Sequence, residues 1–187
     1  MKPAWSMILV ALMVACGGER PSGEAAKKSP PAAMAEPMSV AAFDLQFIDA
    51  MRKHHAMAIP MAQMAVERSS DSKLREMGSK MAADQSKEIA QLGSWRKEWF
   101  GNAPDADVSQ LRGTASMEMD MTHVQSLSGA PFDRMFVDMM IPHHEGAVLM
   151  SCDALERSTR EELRSFARDV IRKQEREISD LSAWKAK

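Results

Sequence analysis

Phe47–Met61 and Phe136–Met150 carry one fifteen-residue pattern, 89 positions apart. The shared template is Phe, aliphatic, Asp, any, Met, any, any, His, His, any, any, Ala, aliphatic, any, Met. The match continues at the same offset. Glu67-Arg68-Ser69 meets Glu156-Arg157-Ser158, Leu74-Arg75 meets Leu163-Arg164, and Gln85 meets Gln174. Glu88-Ile89 meets Glu177-Ile178, Leu92 meets Leu181, and Trp95 meets Trp184. The chain therefore reads as two copies of one unit of roughly fifty-five residues, separated by a long insertion. A duplicated unit has to fold twice in the same way and bury its two apolar faces together.

Each unit reads as a helix pair. Phe47, Met51, His54, Ala58, Met61 and Ala65 step by four and three, as do Phe136, Met140, His143, Ala147, Met150 and Ala154. That spacing makes an apolar stripe for partner helices. The second helix of each copy shows Leu74, Met77, Met81, Gln85, Glu88, Leu92 and Trp95, and then Leu163, Phe166, Val170, Gln174, Glu177, Leu181 and Trp184. Ser158 with Glu161 has the spacing of a capping box for the last helix. Ser70 or Asp71 can cap the second, Gly101 and Pro104 end it, and Pro131 suits the first turn of the third. Strand signals are nearly absent and Tyr is absent. The expectation is an all-α, ferritin-like four-helix bundle made of two duplicated hairpins, with residues 101–130 as one long crossover.

The first fifteen residues read as a signal peptide of the lipoprotein type. Lys2 is their only charge, and Met7–Ala15 is apolar but too short to span a membrane. The segment ends Met13-Val14-Ala15-Cys16-Gly17, which resembles a bacterial lipobox with Met where Leu is usual. Cys16 would then carry the lipid and face the periplasm, and ordinary secretory cleavage near Ala15 is the alternative. Residues 16–38, rich in Gly, Pro, Ser, Ala, Glu and Lys, read as a flexible tether with a reach of roughly 25 Å. Residues 39–187 form one domain. With Cys16 lipidated, Cys152 has no partner within the chain and reads as a small residue packed on the third helix. The formal charge is −2 with no basic patch, so nucleic acid is not an expected partner.

Four of the five histidines fall in the duplicated boxes, so imidazole chemistry concentrates there. Met51-x-x-His54-His55 and Met140-x-x-His143-His144 each set a thioether one turn from two imidazoles. Met61 and Met150 lie further along the same seam, and Met57 adds a sulfur in the first box alone. Thioether with neutral imidazole suits Cu(I), and imidazole with carboxylate or water suits Cu(II), Zn(II) or Ni(II). The plain alternative for any one of these is a core methionine or a hydrogen-bonded core histidine. His54 and His143, however, take seam positions where Leu or Ala would cost less desolvation, and they do so twice.

The crossover holds Met117-x-Met119-x-Met121-x-His123. In an extended segment these would point to one side as a second soft-donor patch. In a helix, Met117, Met121 and Val124 would form an apolar stripe instead. Pro60 and Pro142 sit beside the His pairs and predict a kink or break. Gln85, Glu88, Gln174 and Glu177 are candidates to orient the imidazoles from the partner helices, or else polar pairs at the bundle edge.

Met140-Ile141-Pro142-His143-His144-x-Gly146-Ala147-x-x-Met150 resembles the signature of the secreted bacterial family called domain of unknown function 305. So do Gly129-x-x-Phe132-Asp133-Arg134-x-Phe136 upstream and Gln174-x-x-Glu177-Ile178 downstream. The resemblance covers residues 43–185. It implies a ferritin-like fold, copper binding, and metal ligands among Met51, His54, His55, Met61, Met140, His143, His144 and Met150.

Copper sequestration or carriage at the cell envelope is thus the leading expectation, with no organic cofactor and no enzyme activity. A Met-rich structural bundle is the main alternative. A dinuclear ferritin-like oxidoreductase would need Glu-x-x-His motifs that are missing here. A haem bundle would make little use of adjacent His pairs, and no Cys-x-x-Cys-His motif exists.

Overall fold

A computed structural model describes residues 39–117 and 119–186. The leader, the tether and Cys16 lie outside the described residues. The described chain is all-helical, in the order α1 (Val40–Arg68), α2 (Ser72–Phe100), a 3-10 turn (Thr114–Met117), α3 (Met121–Val124), α4 (Gly129–Arg157) and α5 (Glu161–Lys185). The hairpins α1–α2 and α4–α5 pack together mainly through α1 and α4. The start of α1 meets the connection between α4 and α5, where Asp44 Oδ2 lies 3.2 Å from Arg160 Nε. No helix among the described residues is long and apolar enough to cross a membrane.

Local chemistry sets most helix ends. Ser39 Oγ accepts the Ala42 N–H at 3.2 Å. Asp71 caps α2, its Oδ1 accepting from Lys73 at 2.7 Å and Leu74 at 3.2 Å. Its other oxygen accepts the Trp184 indole N–H at 2.8 Å, tying the end of α5 to the start of α2. Gly101 ends α2 with a φ of 56°, a left-handed conformation that glycine adopts without strain.

Three sequence expectations are corrected here. Ser158 makes no capping box for α5, because its hydroxyl instead accepts the Arg160 N–H at 3.2 Å, beside the C-terminus of α4. Neither Pro60 nor Pro142 breaks its helix, and α1 and α4 each run 29 residues without interruption. Both prolines are exposed, so the carbonyls they release face water. Cys152 is buried, as a small packed residue would be, but it is not a free thiol.

The core divides into two apolar clusters. Phe43, Phe47, Met51, Leu92, Met150 and Leu163 belong to one. Met61, Leu74, Phe132, Phe136, Met140 and Leu181 belong to the other. Met51 thus shares a cluster with Met150, and Met61 shares one with Met140. The four box histidines lie between these positions along α1 and α4. They form a polar layer across the middle of the bundle.

The crossover is pinned rather than free. Asp49 is buried, and its carboxylate takes the Arg96 Nε at 2.6 Å and the Ala106 N–H at 3.0 Å. Further along, Arg112 pairs with the buried carboxylate of Asp153.

Candidate metal centre

His54, His55, His143 and His144 are each between 0% and 1% exposed. The structure brings two of them together. The rings of His54 and His143 stack with centroids 3.6 Å apart and planes 23° from parallel. The other two turn away towards the partner helices. His55 Nε2 lies 2.9 Å from Glu88 Oε2 on α2, and His144 Nε2 lies 2.8 Å from Glu177 Oε2 on α5. The contact therefore recurs at matched positions of the two halves. Sequence reasoning put both boxes towards one interior point, and that point is only half formed. Among the described residues, no three His, Cys, Asp or Glu side chains stand together as a ready ligand set.

Proton positions follow from the acceptors. His54 Nε2 lies 2.9 Å from the His143 carbonyl, so that nitrogen carries hydrogen and donates. His143 Nδ1 donates to the Ser116 carbonyl at 3.1 Å. The nitrogens of His55 and His144 that face carboxylates must also carry protons, because lone pairs at that distance would repel. The approach of these two is off the direction of a linear hydrogen bond. Neutral His54 and His143 then keep one lone-pair nitrogen each, Nδ1 and Nε2, and the other nitrogen of His55 and of His144, Nδ1, is turned from the carboxylate. All four of these atoms are buried without a hydrogen-bond partner.

Electrostatics keeps the central pair neutral. Burial pushes His143 down to about 3, with His144 adding to the shift. Burial also holds His54 well below the ordinary imidazole range, with His143 and His55 acting in the same sense. Burial alone would raise Glu88, but His55 and then Lys173 outweigh it and leave the carboxyl below its usual value. Lys173 Nζ stands 2.6 Å from Glu88 Oε1. Gln85 and Gln174 are buried in the same layer, and the side-chain oxygen of each lacks a partner.

The thioethers are distributed unevenly. Met51, Met61, Met140 and Met150 are fully buried, above and below the histidine layer. Met57 is half-buried and belongs to neither cluster. The crossover donors form neither an extended row nor one helix. Met117 is buried at the end of the 3-10 turn, Met119 and Met121 are half-buried, and His123 is exposed on α3.

One part of the site escaped sequence reasoning. The 113–117 turn lies directly on α4 beside His143. A Cβ on Gly146 would fall 1.7 Å from Ser116 Oγ and 2.7 Å from the Gly113 carbonyl oxygen. Gly113 itself has a φ of 84°, and a Cβ there would fall 2.2 Å from the Gly146 carbonyl oxygen. Two glycines thus let two backbones touch, which places the Ser116 carbonyl on His143. The signal available was Gly146 inside the second box, where the first box has Met57.

Several solved structures resemble the chain in its helical fold. CopM solved in its Cu(I)-bound form is 31% identical, with a TM-score of 0.65, over 75% of this chain and 94% of that one. CopM in its Cu(II)-bound form gives 32% identity and 0.66 over the same shares. A secreted protein from Streptomyces coelicolor, at 23% identity and 0.68 over 79% of this chain and 93% of that one, shares the fold. No curated protein matches. The family model described as domain of unknown function (DUF305) matches residues 44–185. A match over that much of the sequence, on a histidine-layered helical bundle, means that the chain belongs to the DUF305 family.

Proposed function

We propose that this protein binds copper at the bacterial cell envelope and sequesters or carries it. The observation that carries the reading is the set of four buried imidazole nitrogens without hydrogen-bond partners. Leaving one buried polar atom unsatisfied costs about 1–3 kcal/mol. Four such atoms cost about 4–12 kcal/mol, comparable with a domain's whole stability of about 5–15 kcal/mol. A soft or borderline cation compensates that cost. The buried thioethers of Met51, Met61, Met140 and Met150 extend the donor set towards Cu(I), and Met57 stands at the edge of the first box. Glu88 and Glu177, with Gln85 and Gln174 beside them, orient the rings from outside. Similarity to CopM, solved in Cu(I)-, Cu(II)- and Ag-bound forms, supports the same reading.

The stacked pair also sets a condition on loading. Imidazole lone pairs lie in the ring plane, so two near-parallel stacked rings cannot both aim them at a point between the planes. One ion shared by His54 and His143 requires the stack to open. The ferritin-like reading of the connectivity belongs to the same proposal, because it puts the metal layer between facing helices. So does the domain organisation, with a leader over 1–15, a tether over 16–38 and a metal-binding bundle over 39–187.

The deciding experiment replaces His54, His55, His143 and His144 together, by Ala in one variant and by Gln in a second that keeps more of the volume. Bound copper per chain is measured alongside helical content. The expected result is loss of most bound copper with the helical signal retained, and Cu(I) held more tightly than Zn(II) in the parent. Unchanged copper content in both folded variants refutes the proposal and favours a structural, Met-rich bundle.

A further inference from the structure

A groove of about 520 Å³ runs between the crossover and α4. Four of its lining side chains are soft or borderline donors: Met119 and His123 from the crossover, Met135 and Met139 from α4. Met135 and Met139 stand four residues apart, so their thioethers leave one face of the helix. The His123 ring is exposed and takes no hydrogen-bond partner among the described residues. One oxygen of each carboxylate in the groove is already engaged. Asp120 Oδ1 accepts the Thr122 N–H at 2.9 Å, and Asp138 Oδ1 pairs with Lys185 Nζ at 2.6 Å. Three sulfurs and one imidazole thus outnumber the two carboxylates in the lining, a set that favours a soft monovalent cation over Mg(II).

We propose that this groove is a second, solvent-accessible site for Cu(I) or Ag(I), held by Met119, His123, Met135 and Met139. It differs from the row expected from sequence. Met117 is buried, Met121 does not line the groove, and α4 supplies the two missing sulfurs. The inference rests on the copper reading only for the identity of the physiological ion. Location supports the assignment. The box histidines are closed to solvent, whereas the groove is open and Ser116 is part of its wall. Ser116 is also the residue whose carbonyl holds His143. An ion in the groove thus sits one residue outside the buried layer.

The test uses the full metal-free chain titrated with Ag(I), and with Cu(I) under anaerobic conditions. Bound ions per chain are counted by elemental analysis, and methionine methyl signals are followed by NMR. Replacing Met119, Met135 and Met139 by Leu conserves volume, so the fold is retained while the sulfurs are lost. The expected results are the loss of one bound ion in that variant and shifts of those three methyl signals in the parent. The His54/His55/His143/His144 variant should keep the groove ion. An unchanged ion count in the Leu variant, or unmoved methyl signals at saturating Ag(I), overturns the groove and leaves the buried-layer reading standing. A parent chain that binds neither ion overturns both.

Discussion

Gly146→Ala is the sharpest test of how the crossover turn controls His143. The new Cβ would lie 1.7 Å from Ser116 Oγ, which can rotate away, and 2.7 Å from the Gly113 carbonyl oxygen, which cannot. Ordinary contact begins near 3.4 Å, so the turn must retreat by about 0.7 Å. The bond from His143 Nδ1 to the Ser116 carbonyl is already 3.1 Å long, and that retreat breaks it. Overpacking costs about 1–3 kcal/mol, and a stranded buried N–H about 1–3 kcal/mol more. The helix gain of Ala over Gly returns up to about 1 kcal/mol. The net expectation is a loss of about 1–5 kcal/mol. Gly93→Ala is the internal control, since its Cβ would meet only Arg52 Nε, at 3.8 Å. It should be neutral or stabilising by up to about 1 kcal/mol. Urea unfolding of the metal-free proteins followed by circular dichroism compares the two. Equal stability of the two variants would refute the argument that the Gly113–Gly146 contact builds the site.

Acid should destabilise the metal-free protein well above the range of ordinary carboxylates. His143 titrates near 3 when folded and near 6.5 when unfolded, so the unfolded chain binds more protons between those values. The stability is fully present above about pH 6.5 and falls as pH drops towards 3, with about 2 kcal/mol lost from His143 alone between pH 7 and pH 5. His54 shifts in the same direction and adds to the loss, while Glu88, held low, stays ionised across this interval. Urea midpoints that do not change between pH 7 and pH 5 would contradict the neutral, buried pair. At the other end of the chain, Cys16→Ser should release the protein from the membrane fraction, or block its processing, without changing copper binding. The sulfur of Cys16 can carry a lipid or a disulfide but not both, so a mature chain whose mass shows no lipid on Cys16 would sink the anchor proposal.

Sequence alone determined the all-helical class, the pairing of α1 with α2 and of α4 with α5, and the placing of His54 and His143 on the buried stripes. The reason is local. Apolar spacing of three and four sets which face is buried, and Asp71 and Gly101 mark helix ends through their own backbone chemistry. The prolines misled for the complementary reason. Their local cost is real, but exposed placement along 29-residue helices overrides it. Ring orientation was beyond sequence reasoning, because His54 and His55 are adjacent on one helix and face different neighbours. Only the crossing of α1 on α4 stacks His54 on His143, and only α2 and α5 supply Glu88 and Glu177. The crossover shows the same limit. Met119 and His123 gain Met135 and Met139 as neighbours, and Ser116 reaches His143, through contacts between residues far apart in the chain. Spacing sets which face of a helix is buried, and tertiary packing decides what that face meets.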